Sequence, residues 1–261
     1  MQTVATEDIF VKTDRGQLFA RRWTLEASVP RLPTIVMQHD SLGCVELWRD
    51  FPQQLAVATG HPVIAYDRLG FGRSDPHPGT LDCDLVGQEI HGDFRVLRSA
   101  LDLEQFIAFG HSVGGGMSIA SAAVYQDACQ ALITESAQVY AEEHTLEGIR
   151  QAKAAFAQPG QLDRLKRYHG DKAAWVLNAW TETWLSPRFA DWTLEAYLRE
   201  VRCPALALHG DNDEYGSLDH PRRIHALAGA RSVILEGCGH VPHREIPDTV
   251  VATIRDWLAT L

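Results

Sequence analysis

Six short apolar runs, each closed by turn residues, recur along the chain and alternate with longer segments of helical periodicity. They read PTIVMQH (33–39), HPVIAYD (61–67), QFIAFGH (105–111), QALITES (130–136), PALALHG (204–210) and RSVILEG (231–237). Each is too short for a helix and nearly continuous in apolar character, as strands buried on both faces have to be. The intervening segments around 45–59, 84–103, 113–127, 219–229 and 244–260 predict helices. In the last of these, Val250, Val251, Ile254, Trp257, Leu258 and Leu261 recur at three- and four-residue steps and share one face. This alternation predicts an α/β protein with a mostly parallel central sheet flanked by helices. The opening DIFVKTDRGQLFARRW predicts a hairpin about Asp14-Arg15-Gly16, at an antiparallel edge.

One stretch breaks the rhythm. From 137 to 200 only helix-like text appears, and it holds Trp175, Trp180, Trp184 and Trp192, four of the seven tryptophans. It begins directly after one strand and runs directly into the next, with no flexible linker. The expected organisation is a core domain built from 1–136 and 201–261, with 137–200 inserted as a helical cap over the sheet.

Bulk properties narrow the partners. A formal net charge of -10 opposes nucleic acid and anionic membrane at long range and says nothing sharp about the substrate. The start, MQTVATEDIFVKTDRG, lacks the basic-then-apolar order of a secretory signal, and no run is long enough to span a membrane. Cys44, Cys83, Cys129, Cys203 and Cys238 are odd in number and form no C-x-x-C pair, as expected of free thiols in the cytoplasm. A homodimer stays open.

The segment FIAFGHSVGGG carries the sharpest chemical signal. Gly110-His111-Ser112-Val113-Gly114 is G-x-S-x-G, set between an apolar strand and a small-residue helix. A nucleophile held on such a turn projects clear of the sheet, and the helix N-terminus brings backbone N–H groups to developing negative charge. Bulky residues at 110 or 114 would obstruct the turn. Serine needs a base from elsewhere in the fold. Among twelve histidines, His240 stands out in EGCGHVPHREIP, a glycine-punctuated loop at the carboxyl end of the last strand. His243 is expected to begin the last helix and to cap or pair there. The third member is expected after PALALHG, where GDNDEYG offers Asp211, Asp213 and Glu214; Asp213 is far enough round the turn to face His240.

Over essentially the whole chain the sequence resembles the α/β-hydrolase superfamily. Within it, the chain is similar to capped small-molecule members: carboxylesterases, enol-lactonases and the carbon–carbon hydrolases of aromatic degradation. The resemblance rests on MQHDSLGC (37–44), YDRLGFGRSD (66–75), GHSVGGG (110–116) and the GDNDEYG and GCGH loops. It implies the oxyanion donors, the backbone N–H groups of Ser41 and Val113. Asp40 stands where the family's loop has glycine, and is expected either to shape that loop or to contact substrate. His39 is expected to be a buried residue shaping the loop. YDRLGFGRSD resembles the family's structural loop behind the nucleophile turn and lacks the spacing of a phosphate site. Asp40, His111, Trp180 and Trp184 are the expected substrate-side residues, although tryptophans at helical spacing also serve as core between cap helices.

The function expected is hydrolysis of a small-molecule carboxylic ester through a Ser-His-Asp triad and an acyl-enzyme, with no cofactor and no metal. Carbon–carbon, lactone and thioester cleavage are the alternatives within enzymes. A ligand sensor that keeps the hydrolase fold is the alternative outside them. The carbon–carbon reading would call for a glycine-rich oxyanion loop, which Asp40 interrupts, and a basic residue for the substrate's carboxylate.

Overall fold

Every one of the six apolar runs forms a strand in the computed structural model, which describes residues 3–25 and 32–261. The hairpin of β1 (Val4–Lys12) and β2 (Gln17–Leu25) precedes β3 (Thr34–Gln38), β4 (Val63–Asp67), β5 (Phe106–His111), β6 (Cys129–Glu135), β7 (Ala205–Gly210) and β8 (Arg231–Leu235). They make one sheet in the order β1-β2-β4-β3-β5-β6-β7-β8. β1 and β2 pair antiparallel, as do β2 and β4, and the rest is parallel. The chain reverses its direction of travel across the sheet at β3 and β5, where Gln38 lies beside Gly110. The loops leaving these two strands therefore emerge side by side, at the kind of switch point where open α/β sheets bind ligands.

Because successive strand residues face opposite sides, each strand feeds two cores. Val36, Ile64, Ala108 and Leu132 pack on one face against α2 (Leu85–His91), α3 (Asp93–Ala100) and α4 (Val113–Val124). Ile35, Met37, Val63, Phe109 and Ile133 pack on the other against α1 (Phe51–Thr59) and α11 (Pro247–Leu258). Each large aliphatic side chain buried this way contributes about 1.5–3 kcal/mol.

Three sequence expectations need correction. The helix expected over 45–59 is a 3₁₀ turn, Val45–Trp48, followed by α1, with Arg49 between them at φ 52° and a proline in the first turn of α1. The helix expected over 84–103 breaks at Gly92, where a Cβ would sit 2.5 Å from the Gln88 carbonyl oxygen. The helix expected over 244–260 is divided into α10 (Pro242–Glu245) and α11, which starts at Pro247. In addition, β8 is a sheet edge with Ile234 45% exposed, so its apolar run does not mark burial on both faces.

Between β6 and β7 lie α5 (Glu143–Phe156), α6 (Gln161–His169), α7 (Ala173–Trp184) and α8 (Glu195–Glu200). Among the described residues this stretch adds no strand, only an isolated bridge between Tyr140 and Thr193. Trp184, Phe189 and Trp192 pack together with ring centroids 4.8–5.3 Å apart. Its end rests on α4, where a Cβ at Gly116 would meet Leu194 at 2.7 Å. α9 (Asp219–Ala228) completes the fold.

Candidate active site

Ser112 sits where β5 ends and α4 begins, at φ 57° and ψ −124°, a conformation that a residue with a side chain rarely adopts. The turn is tight enough that only glycine fits on either side. A Cβ at Gly110 would lie 2.0 Å from the Gly114 carbonyl oxygen, and one at Gly114 would lie 2.1 Å from that of Gln38. The Ser112 N–H is spent on the Glu135 carbonyl at 2.9 Å, which ties the turn to β6. The hydroxyl donates a long hydrogen bond, 3.4 Å, to Gln138 Oε1. Among the described residues no hydrogen bond joins it to His240.

His240 follows β8 and is buried. Its Nδ1–H donates to both carboxylate oxygens of Asp213, at 2.8 and 2.9 Å. Burial alone would lower the imidazole's pKa, but the hydrogen bond and charge of Asp213 outweigh it and hold it above the ordinary histidine value. Burial would raise the Asp213 carboxyl; His240 and the surrounding donors overcome that and keep it below its ordinary value. Two of those donors are the N–H groups of Tyr215 and Gly216, at 2.8 and 3.0 Å from Asp213 Oδ1. Of the three carboxylates in this turn, only Asp213 engages the imidazole side chain. Asp211 accepts from Gly237 N–H, and Glu214 accepts from the backbone N–H of His240.

The loop after β3 is shaped by buried polar groups. The Asp40 carbonyl accepts from His39 Nδ1–H and Arg68 Nη2, both at 2.8 Å, and the His39 carbonyl accepts from Arg68 Nη1 at 2.6 Å. In a trans peptide the next N–H points the opposite way, so anchoring the Asp40 carbonyl on Arg68 turns the Ser41 N–H away from it. Val113, as the first helical residue, has no intrahelical partner for its N–H. Ser41 and Val113 line one cavity of about 40 Å³, with Phe71, Met117, Trp180 and Trp184 among its apolar walls and Arg68 and Glu89 among its polar ones. Burial raises Glu89 to about 7, and Tyr66 donates to it at 2.7 Å.

Asp40 and His111 are not in that wall. Both line a second cavity with Trp48 and His243. The reason at His111 is strand alternation: it precedes Ser112 on β5 and so faces the other side of the sheet. Its Nε2–H donates to the His240 carbonyl at 2.7 Å, and the two rings lie 5.0 Å apart. His111 thus props the His240 loop, and neither it nor Asp40 lines the cavity that Ser41, Val113, Trp180 and Trp184 share. His243 pairs with Glu135 Oε2 at 2.6 Å, on the face of the sheet where its ring packs against Trp48 and Phe51. Burial drives His243 down to about 3, His111 down to about 4 and Glu135 up to about 7. His111, Glu135 and His243 have ligand atoms within 4.8 Å of one another, and they are the residues that could approach a metal among those described. His111 supports the His240 loop through the His240 carbonyl, and His243 is held by Glu135.

Sequence reasoning passed over Gln138, Arg68 as a loop anchor, and a clasp from α5. Thr145 donates to the Tyr215 carbonyl at 2.6 Å, His144 to the Asp213 carbonyl at 3.1 Å, and Glu142 accepts from Ser217 N–H and hydroxyl at 2.7 and 2.8 Å. None of these follows a motif; each depends on the tertiary approach of a helix the sequence places only coarsely. All five cysteines are free, with Cys129 and Cys203 sulfurs 4.0 Å apart. Among the described residues no helix is long and apolar enough to cross a membrane.

A family model described as the alpha/beta hydrolase fold matches residues 33–245. The chain is 25% identical over 257 residues to a 2-hydroxy-6-oxononadienedioate/2-hydroxy-6-oxononatrienedioate hydrolase of Paraburkholderia xenovorans (strain LB400), covering 87% of this chain and 86% of the relative. It is 23% identical to a proline iminopeptidase of Lactobacillus helveticus, covering 87% and 90%. The crystal structure of a bacterial membrane phospholipase A superposes with a TM-score of 0.79 at 22% identity, over 98% of this chain and 86% of that one.

Proposed function

Because the chain belongs to the alpha/beta hydrolase fold family, we propose that it is a serine hydrolase cleaving a small-molecule carboxylic ester. Ser112 is the nucleophile, His240 the base and Asp213 the group that orients the base. The observation that carries this reading is the double contact of Asp213 with His240 Nδ1. It fixes the tautomer and leaves Nε2 unprotonated for transfer. His240 takes the Ser112 proton as the hydroxyl leaves Gln138 and attacks the carbonyl carbon. The N–H groups of Ser41 and Val113 hold the oxyanion, each worth about 3–4 kcal/mol. His240 protonates the leaving alcohol and then activates the water that clears the acyl-enzyme. Residues 137–200 act as the cap, with Trp180 and Trp184 forming the apolar wall above the turn. The free thiols support a cytoplasmic setting.

Ser112→Ala is expected to lower kcat by about 10⁴ or more; turnover close to the parent's would refute the assignment. A fluorophosphonate is expected to label Ser112 stoichiometrically, and absence of labelling would favour a hydrolase-fold ligand sensor. Carbon–carbon cleavage is the second reading. The Paraburkholderia relative favours it, as does buried Arg68 in the cavity wall, a cation that a substrate carboxylate could meet. Short p-nitrophenyl esters assayed beside a dienoate diketone separate the two, since only one set should turn over efficiently.

A further inference from the structure

Gln138 places an acceptor at the proposed nucleophile that the relay just described does not use. It is the third residue after β6 and is 3% exposed. Its Nε2 donates to the Tyr215 carbonyl at 3.0 Å. A carbonyl only accepts, so this bond fixes which end of the carboxamide faces inward. Oε1 is therefore the end that faces Ser112, where it accepts from the hydroxyl at 3.4 Å. The support is shared with the base: Tyr215 donates its N–H to Asp213, and its ring lies 5.0 Å from that of His240.

Acylation changes the balance at this spot. The Oγ of an acylated serine carries no hydrogen, so Gln138 Oε1 becomes a buried acceptor without a donor, directly beside the new ester. Such an acceptor is costly unless it is satisfied. A water is the small donor available there once the alcohol has left, and a water held on Oε1 lies next to the bond to be broken.

Resting on the Ser112 reading, we infer that Gln138 is a catalytic residue of the second half-reaction, holding the hydrolytic water through one of its hydrogens. The water oxygen adds to the acyl carbon while its other hydrogen passes to His240 Nε2. The tetrahedral intermediate then collapses with cleavage of the bond to Ser112 Oγ. His240 returns the proton to Oγ, and the hydrogen held by Gln138 leaves on the product acid.

The test uses p-nitrophenyl acetate, whose leaving group departs readily so that deacylation sets kcat. In Gln138→Met, kcat and KM fall together by about tenfold, while kcat/KM, the burst of one p-nitrophenolate per chain and the rate of fluorophosphonate labelling stay at parental levels. Gln138→Glu, which keeps an acceptor oxygen, stays closer to the parent. Unchanged kcat in Gln138→Met, equal loss in both variants, or loss of kcat/KM and labelling alongside kcat overturns the role. Failure of the underlying reading has a different signature: the unmodified protein then shows neither burst nor labelling at Ser112.

Discussion

The turn bearing Ser112 and the loop bearing Asp213 are held in place by opposite means. The first is fixed by its own backbone: Gly110 and Gly114 allow main chain to lie against main chain, and β6 takes the Ser112 N–H. The second is fixed from outside, by Gln138, Thr145, His144 and Glu142 on the segment that follows β6. The difference separates what a local stretch of sequence dictates from what a fold has to assemble. One half of the proposed site rests on main chain from β3, β5, β6 and α4. The other half leans on side chains of the segment between β6 and β7.

Perturbing each side tests the contrast. The largest effect is expected from Asp213→Asn, about 10⁴ in kcat through loss of the orienting carboxylate. Its acid limb should also move. In the parent, activity is expected to fall as pH drops through the His240 pKa, which Asp213 holds above the ordinary histidine value; a base is useful only when neutral, so removing the carboxylate should carry the limb to lower pH. A limb that stays put in a kcat–pH profile would mean that another group titrates. Gly114→Ala should come next, at about 10² in kcat from a displaced nucleophile. It should also destabilise by about 3 kcal/mol in urea unfolding, because a methyl group 2.1 Å from a carbonyl forces the backbone apart. Thr145→Val, losing one buried hydrogen bond to the Tyr215 carbonyl, should cost no more than about tenfold in kcat with Ser112 still labelled. A loss as large as that of Gly114→Ala would erase the distinction between the two halves.

The contrast also explains what was legible in the sequence. Six strands, the nucleophile turn, and the approach of His240 to Asp213 over Asp211 and Glu214 all follow from short-range pattern or from position after a strand. What escaped was non-local. His111 reads as a neighbour of the nucleophile, yet the pleat sends it under the sheet to the His240 carbonyl. Glu135 closes an apolar run and gives no hint that His243 will meet it from 108 residues away. Arg68 reads as part of a glycine-rich loop, and its service to the carbonyls of His39 and Asp40 appears only when β3 and β4 lie side by side. β8 has the composition of an interior strand, and only the strand order makes it an edge.

The grip of α5 on residues 213–217 limits how this molecule can admit a guest. Raising the first turn of α5 would snap the bonds from Thr145 and Glu142 and unseat the carboxylate behind the imidazole. On the proposed reading, entry that leaves the triad intact is expected on the side away from this turn, where Trp180 and Trp184 of α7 line the cavity.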